Sequence, residues 1–266
     1  MTDTVYDKAG LYDTVYDKAG LYVGVIVPDP PSESQVAHLV NAYADRYRTP
    51  LNSDWLSKDL SNQGDKRWYH NVNHAMEVTD RLAACRQPDA RELAYMFGFN
   101  HDRYYSGGRS GSDEAFSAEM MVVDYTVCKL YDSVGPTVAT LTAAYAAILA
   151  TTQHTMDQTN LPVCVKVCLD ADLYSLADDY VYARNAKAVY LESKAFGVSD
   201  KDYLARRIEW LTAMLTRKSI FLTYGIGDPD TLNAKALRNM KHELSKLELL
   251  AEEMADEAFV NGDPDT

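Results

Sequence analysis

The stretch Leu93-Ala94-Tyr95-Met96-Phe97-Gly98-Phe99 runs directly into Asn100-His101-Asp102, and few folds can accommodate that join. Burial of the apolar stretch carries the adjoining imidazole and carboxylate out of water. An ionised Asp is costly there unless a cation or hydrogen bonds compensate. The chain must therefore bring compensating groups from elsewhere. Two other segments offer them: Tyr69-His70-Asn71-Val72-Asn73-His74, and Leu169-Asp170-Ala171-Asp172-Leu173 within the mostly apolar run from Val163 to Leu176. On a helix, residues four apart share a face, so His70 and His74 can point into one cleft.

Imidazole nitrogens and carboxylate oxygens together suit a divalent ion: zinc, manganese, iron or cobalt, or magnesium where carboxylates and waters dominate. One or two such ions fit the donor set. Ligands drawn from three helical segments, His74, His101, Asp102 and Asp172, leave positions open for water and substrate. That is the mark of a catalytic rather than a structural site. Further candidates surround them. Arg67 could clamp a phosphate through two parallel hydrogen bonds. Glu114, at the start of a helix, could orient water or bind substrate, and His154 could touch a second ion or a phosphate.

The rest of the chain reads as helices. Ser32 with Gln35 forms a capping box before the stripe Val36, Leu39, Val40, Tyr43. Arg48 to Asp65 is polar, with Pro50 and Gly64, and reads as a loop containing one short helix. Helical segments are then expected over roughly 72–85, 89–100, 113–131, 136–152, 162–176, 178–196, 200–222 and 228–258, the seventh started by Ser199 with Asp202. No strand alternation competes over this range. The expected fold is all-α, a single-domain helical bundle over residues 28–266. Residues 1–27 precede it and carry a perfect tandem repeat, Asp3 through Tyr12 recurring as Asp13 through Tyr22. Two copies are too few for a solenoid, so a loosely docked tail is expected, with a short strand near Tyr22–Val27 as the alternative.

Composition narrows the partners. The 266 residues are 47% hydrophobic, enough for a full core, and carry a net charge of −13. Nucleic-acid polymers are held by extended basic surfaces, so none is expected here. Cys85, Cys128, Cys164 and Cys168 lie in apolar helical patterns without a secreted framework, which points to reduced thiols and a cytoplasmic protein. No apolar run approaches the length of a membrane span, and no partner membrane is expected.

Taken in order, Tyr69-His70-Asn71-x-x-His74, Phe99-Asn100-His101-Asp102-Arg103-Tyr104, Thr151-Thr152-Gln153-His154 and Leu169-Asp170-Ala171-Asp172-Leu173 resemble the HD superfamily of metal-dependent phosphohydrolases. More narrowly, Asp113-Glu114, Ser117-Ala118, Tyr180-x-Tyr182-Ala183, Arg207, Arg217 and Asn239 are similar to a group of predicted HD phosphohydrolases, so the resemblance covers roughly residues 34 to 250. It implies an HD-type helical domain with metal ligands His74, His101, Asp102 and Asp172. Asp170 is then a neighbour of the ligand set. The related cyclic-nucleotide phosphodiesterases share the Tyr-His-Asn-x-x-His string, which implies that His70 donates a proton to the leaving group and makes Asn71 a candidate substrate contact. Lys187, Val189 and Leu237 depart from the narrower pattern, which has arginine, glutamate and arginine there.

The resemblance implies hydrolysis of a phosphate ester or anhydride in a small phosphorylated substrate such as a nucleotide. A cyclic-nucleotide or cyclic-dinucleotide phosphodiesterase is the alternative enzyme. A nucleotide-binding sensor or structural protein without turnover is the alternative from another class, and a homo-oligomer stays open.

Overall fold

The computed structural model describes residues 15–17, 20–47, 53–107, 112–131 and 136–261. Ser32 opens the first helix, α1 (Glu33–Tyr47): its N–H donates to Gln35 Oε1 at 2.8 Å, and the Gln35 N–H reaches Ser32 Oγ at 3.4 Å. This is the reciprocal capping box. The short helix of the polar stretch is α2 (Ser53–Ser61), which buries Leu56 and Leu60 against α1. Next come α3 (Val72–Ala84), α4 (Pro88–Glu92), α5 (Ala94–Asn100), α6 (Asp113–Tyr131), α7 (Val138–Thr151) and α8 (Val163–Asp172). After one turn of 3-10 helix at Leu173–Ala177 follow α9 (Tyr182–Ala195), α10 (Asp200–Thr216) and α11 (Pro229–Asn261). Apart from one short hairpin, the described residues fold as an all-α bundle.

Local chemistry explains where the helices depart from the expected spans. The segment expected over 89–100 is two helices, because the Leu93 N–H turns to the Ala90 carbonyl at 3.1 Å and tightens the chain between α4 and α5. The helix expected to reach residue 222 stops at Thr216. Beyond it the backbone is held from outside: Asn233 Oδ1 accepts the N–H groups of Ile220 and Phe221 at 2.7 and 3.0 Å, and Asp170 accepts those of Leu222 and Thr223, both at 2.9 Å. These carboxylate and amide partners replace the helical bonds that the segment gives up.

Two apolar clusters form the interior. The first joins α1 to α8 through residues such as Val40, Leu82, Phe97, Phe99, Met121, Ile148 and Leu169. The second joins the 3-10 turn to α9, α10 and α11 through Leu176, Leu204, Leu211, Met214, Phe221 and Met240. Each fully buried Leu or Phe contributes about 1.5–3 kcal/mol. Along the chain, the first cluster ends at Ala171 and the second resumes at Leu173. Asp172 thus lies on the seam between them. Within the first cluster α5 crosses α3 at Gly98, where a Cβ would overlap Thr79 Oγ1 and come within 2.9 Å of the Thr79 backbone nitrogen. Only glycine permits this approach.

The N-terminal hairpin pairs β1 (Val15–Asp17) with β2 (Gly20–Val23) antiparallel. β2 belongs to the second copy of the repeat, and the expectation of a loosely docked tail fails at its Tyr22. That side chain is buried in the second cluster, its hydroxyl donating to Glu243 at 2.5 Å and lying 3.3 Å from the Tyr203 hydroxyl. Tyr22 has a φ of 65°, a conformation that costs about 1–3 kcal/mol outside glycine and persists only where the surroundings fix it. The first copy, residues 3–12, lies outside the described residues.

Glu243 also accepts from the Tyr182 hydroxyl at 2.5 Å and from Arg207 Nε and Nη2 at 3.0 and 2.9 Å. Its replacement would strand a buried guanidinium and two phenols. Glu243→Ala is expected to lower the free energy of unfolding by about 3–5 kcal/mol, measured by urea denaturation at neutral pH. A loss below 1 kcal/mol would show that water already solvates the network.

Candidate metal centre

Each candidate ligand is delivered by a different device. Asn71 caps α3, its Oδ1 accepting the Asn73 N–H at 2.9 Å, which fixes the first turn carrying His74. His101 and Asp102 follow α5. The His101 Nδ1 faces the carbonyls of Phe97 and Gly98 at 3.2 and 3.0 Å, so it carries the proton and Nε2 presents its lone pair. Arg103 anchors the next residue in a buried ion pair with Asp124 of α6 at 2.5 Å, with Asp59 of α2 on its other side. Asp172 ends α8, and His154 enters from the turn after α7.

These groups converge closely. His101 Nε2 lies 3.2 Å from His74 Nε2, 3.0 Å from Asp102 Oδ2 and 3.4 Å from Asp172 Oδ1. His74 Nε2 lies 3.0 Å from Asp172 Oδ1 and 3.6 Å from Asp102 Oδ2. The other Asp172 oxygen meets His154 Nε2 at 3.0 Å. Ligand atoms about 2.1 Å from a metal and at right angles about it stand about 3.0 Å apart, so these spacings are those of a coordination shell. His74, His101 and Asp172 could hold a metal ion, their donor atoms all lying within 4.8 Å of one another.

Two further observations test the fit. Asp102 Oδ2 is buried with no hydrogen-bond donor aligned on it among the described residues. Imidazole lone pairs and carboxylates also face one another across the same small space. A single proton satisfies one such neighbour; a cation satisfies all of them. Burial opposes ionisation of Asp102 and Asp172, yet the histidines outweigh it and hold both carboxyls below the usual range. Burial would likewise lower the His101 pKa, but Asp102 and Asp172 drive it well above its ordinary value. The residues therefore fit a divalent cation.

His70 does not lie on α3, as the four-residue spacing suggested, but in the turn before its cap. Its ring stacks on Tyr105, with centroids 4.3 Å apart, and its Nδ1 pairs with Glu192 of α9. The same carboxylate accepts the N–H groups of Tyr69 and His70, both at 3.0 Å. Burial alone would lower the His70 pKa; Glu192, with Asp102 and Asp172 behind it, pushes it up to about 9. Glu114 sits half-buried at the start of α6 and borders the same cavity as His70, Asp102, His154 and Asp172. Burial, then the carboxylates of Asp102 and Asp113, raises its pKa.

Two expected substrate contacts are corrected. Arg67 is 1% exposed. Its Nη2 donates to the carbonyls of Asp102 and Arg103, both at 3.1 Å. Those bonds engage the guanidinium as a brace beneath the His101–Asp102 turn, leaving no phosphate clamp. Asn71 uses its amide in the same structural way, donating to the carbonyls of Arg67 and Trp68 at 3.0 Å each while its oxygen caps α3.

Asp170 points away from the cluster. Its oxygens take the backbone of Leu222 and Thr223 and the Thr223 hydroxyl, and burial pushes its pKa up to about 6 against those bonds. Cys164 and Cys168 belong to the first apolar cluster, where burial drives the Cys168 thiol well up.

Glu192 was not foreseen. The signal was available: it lies four residues after the buried Ala188 on one face of α9, a carboxylate in a stripe that should be apolar. Arg217, which entered the sequence reading only through the resemblance and with no role attached, donates to the His154 carbonyl.

Comparison with protein-family models, curated proteins and solved structures returns no match. Among the described residues no helix is long and apolar enough to cross a membrane.

The His70–Glu192 pair has a definite pH signature. A raised imidazole pKa means that the pair's contribution to stability is fully present below the unfolded value of about 6.5 and is lost as pH rises through about 9. In Glu192→Gln the His70 titration, followed by NMR of its ring protons, should fall by at least one pH unit. An unchanged midpoint would show that Glu192 does not set it.

Proposed function

We propose that the chain is a metal-dependent phosphohydrolase acting on a small phosphorylated substrate, the activity that the HD resemblance implies. The observation that carries the reading is the shared cavity. A cluster able to hold a cation, a carboxylate with a raised pKa and a histidine kept protonated near neutral pH all border it. This is the division of acid and base that hydrolysis of a phosphate ester needs.

His74, His101 and Asp172, with Asp102 beside them, would hold a manganese, iron, cobalt, zinc or magnesium ion. Such an ion, when bound, supplies Lewis acidity that polarises a phosphoryl oxygen and acidifies water. The residues of the chain supply the rest. Glu114 accepts the proton that a water molecule loses as its oxygen bonds to phosphorus. The bond from phosphorus to the leaving oxygen breaks, and His70 gives its proton to that oxygen. Glu192 then steadies the neutral ring for reprotonation. His154, fixed by Asp172 and by Arg217 at its carbonyl, borders the position of the phosphoryl oxygens.

Metal-loaded protein should turn over at least one member of a panel of phosphomonoesters, anhydrides and cyclic nucleotides, and chelation should stop it. Asp102→Ala and Asp172→Ala should abolish turnover. His70→Ala should lower kcat by about 10²–10⁴-fold, and in the native chain kcat should decline as pH rises past about 9. Undiminished turnover in Asp102→Ala would sink the proposal. So would protein that neither turns over any substrate nor gains thermal stability with divalent ions, which is the behaviour of a non-catalytic relative.

A further inference from the structure

The cavity that borders the cluster extends well past it. It encloses about 390 Å³, a volume suited to a drug-sized ligand and far more than a phosphoryl group fills. From His70 and Asp102 it continues into an arm between α9 and α10, walled by Leu176, Val189, Val198, Tyr203 and Trp210. Most of this wall is carbon.

The phenols and the Arg207 guanidinium along the arm are already engaged, which leaves the Asn185 amide and the Ser193 hydroxyl as its small neutral polar groups. The Tyr182 hydroxyl turns to Glu243 at 2.5 Å, and Arg207 makes its two bonds to the same carboxylate at 3.0 and 2.9 Å. The Tyr203 hydroxyl lies 3.3 Å from that of Tyr22. Arg207 sits over the Trp210 ring, 4.7 Å from its centroid, with its charge neutralised by Glu243. Among the described lining residues, Arg206 is the remaining arginine or lysine along the arm, and it stands exposed at the rim. A chain of phosphates entering here would meet one cation where it needs several.

α9 joins the arm to the reacting end. Glu192, which holds His70, lies between the wall residues Val189 and Ser193. The group that protonates the leaving oxygen is therefore fixed to the wall of the arm, and the leaving group must point into it.

We propose that the arm is a leaving-group subsite for a bulky aromatic moiety, so that the preferred substrate is a phosphomonoester of an arylmethyl-type alcohol rather than a polyphosphate. This rests on the phosphohydrolase reading. The reaction is balanced by water alone: the phosphomonoester dianion and water give the alcohol and hydrogen phosphate. The phosphorus to leaving-oxygen bond breaks, the alcohol takes its proton from His70, and the proton from water passes to Glu114.

The test compares 2-naphthylmethyl phosphate with ethyl phosphate, whose leaving oxygens are similarly basic, and with tripolyphosphate, on manganese-loaded protein. The expected kcat/KM for the naphthylmethyl ester exceeds the other two. In Trp210→Ala that kcat/KM should fall about tenfold more than the value for ethyl phosphate, with most of the change in KM. Val189→Phe, which fills the arm from the opposite wall, should narrow the same preference without touching Trp210. Preference for tripolyphosphate, or equal losses on both esters in both variants, overturns the proposal.

Binding of 2-naphthylmethanol, the alcohol product, provides a readout that needs no turnover. It should quench the fluorescence of the native protein more than that of Trp210→Phe. If every phosphate fails as a substrate while the alcohol still binds and Trp210 still reports it, the phosphohydrolase reading falls and the aromatic subsite stands. No binding of the alcohol removes the subsite.

Discussion

Asp102 and Asp172 face three imidazoles at the mostly buried end of a cavity, and their charges can be balanced only together. Asp172 bridges the set, one oxygen 3.0 Å from His74 and the other 3.0 Å from His154. Every element that contributes to the cluster is then constrained by the others: α3 through His74, the end of α5 through His101, the turn after α7 through His154, and α8 through Asp172. Much of the surrounding architecture serves to hold these arrivals in register. Arg67 braces the His101–Asp102 turn from below, and Arg103 pins its far side to α6 and α2.

The end of α8 stitches the two apolar clusters together. Asp170 and Asp172 are two residues apart, about 200° around a helix, so they face opposite ways. Asp172 meets the histidines, whereas Asp170 grips the extended backbone at Leu222 and Thr223. The alternation lets one helix end fix both the candidate site and the segment between α10 and α11.

The helical class was legible because apolar residues recur at helical spacing from Val36 onward, and because Ser32, Gln35 and Ser199 announce their helices. His101, Asp102 and Asp172 were legible for a different reason: each is a polar group carried into an apolar run, and such a group demands a partner, whereas His74 rested on its spacing from His70 and on the resemblance. Arg67 and Asn71 misled because sequence shows which donors a residue has and not where they point. Both give them to backbone carbonyls that become neighbours only on folding. Glu192 and Glu243 escaped because their partners lie more than 30 residues away. Tyr22 escaped because a duplicated terminus gives no hint that one copy enters the core.

Gly98 looks at first like a packing detail. Yet α3 carries His74, α5 leads into His101, and the closeness of those helices at Gly98 and Thr79 helps set how far apart the two imidazole nitrogens stand. The geometry of the cluster is thus partly encoded in a residue with no side chain, one turn of helix away from His101. A change of one methyl group there would act on the cluster as a lever rather than as a contact, spreading its side chains while every one of them remained present.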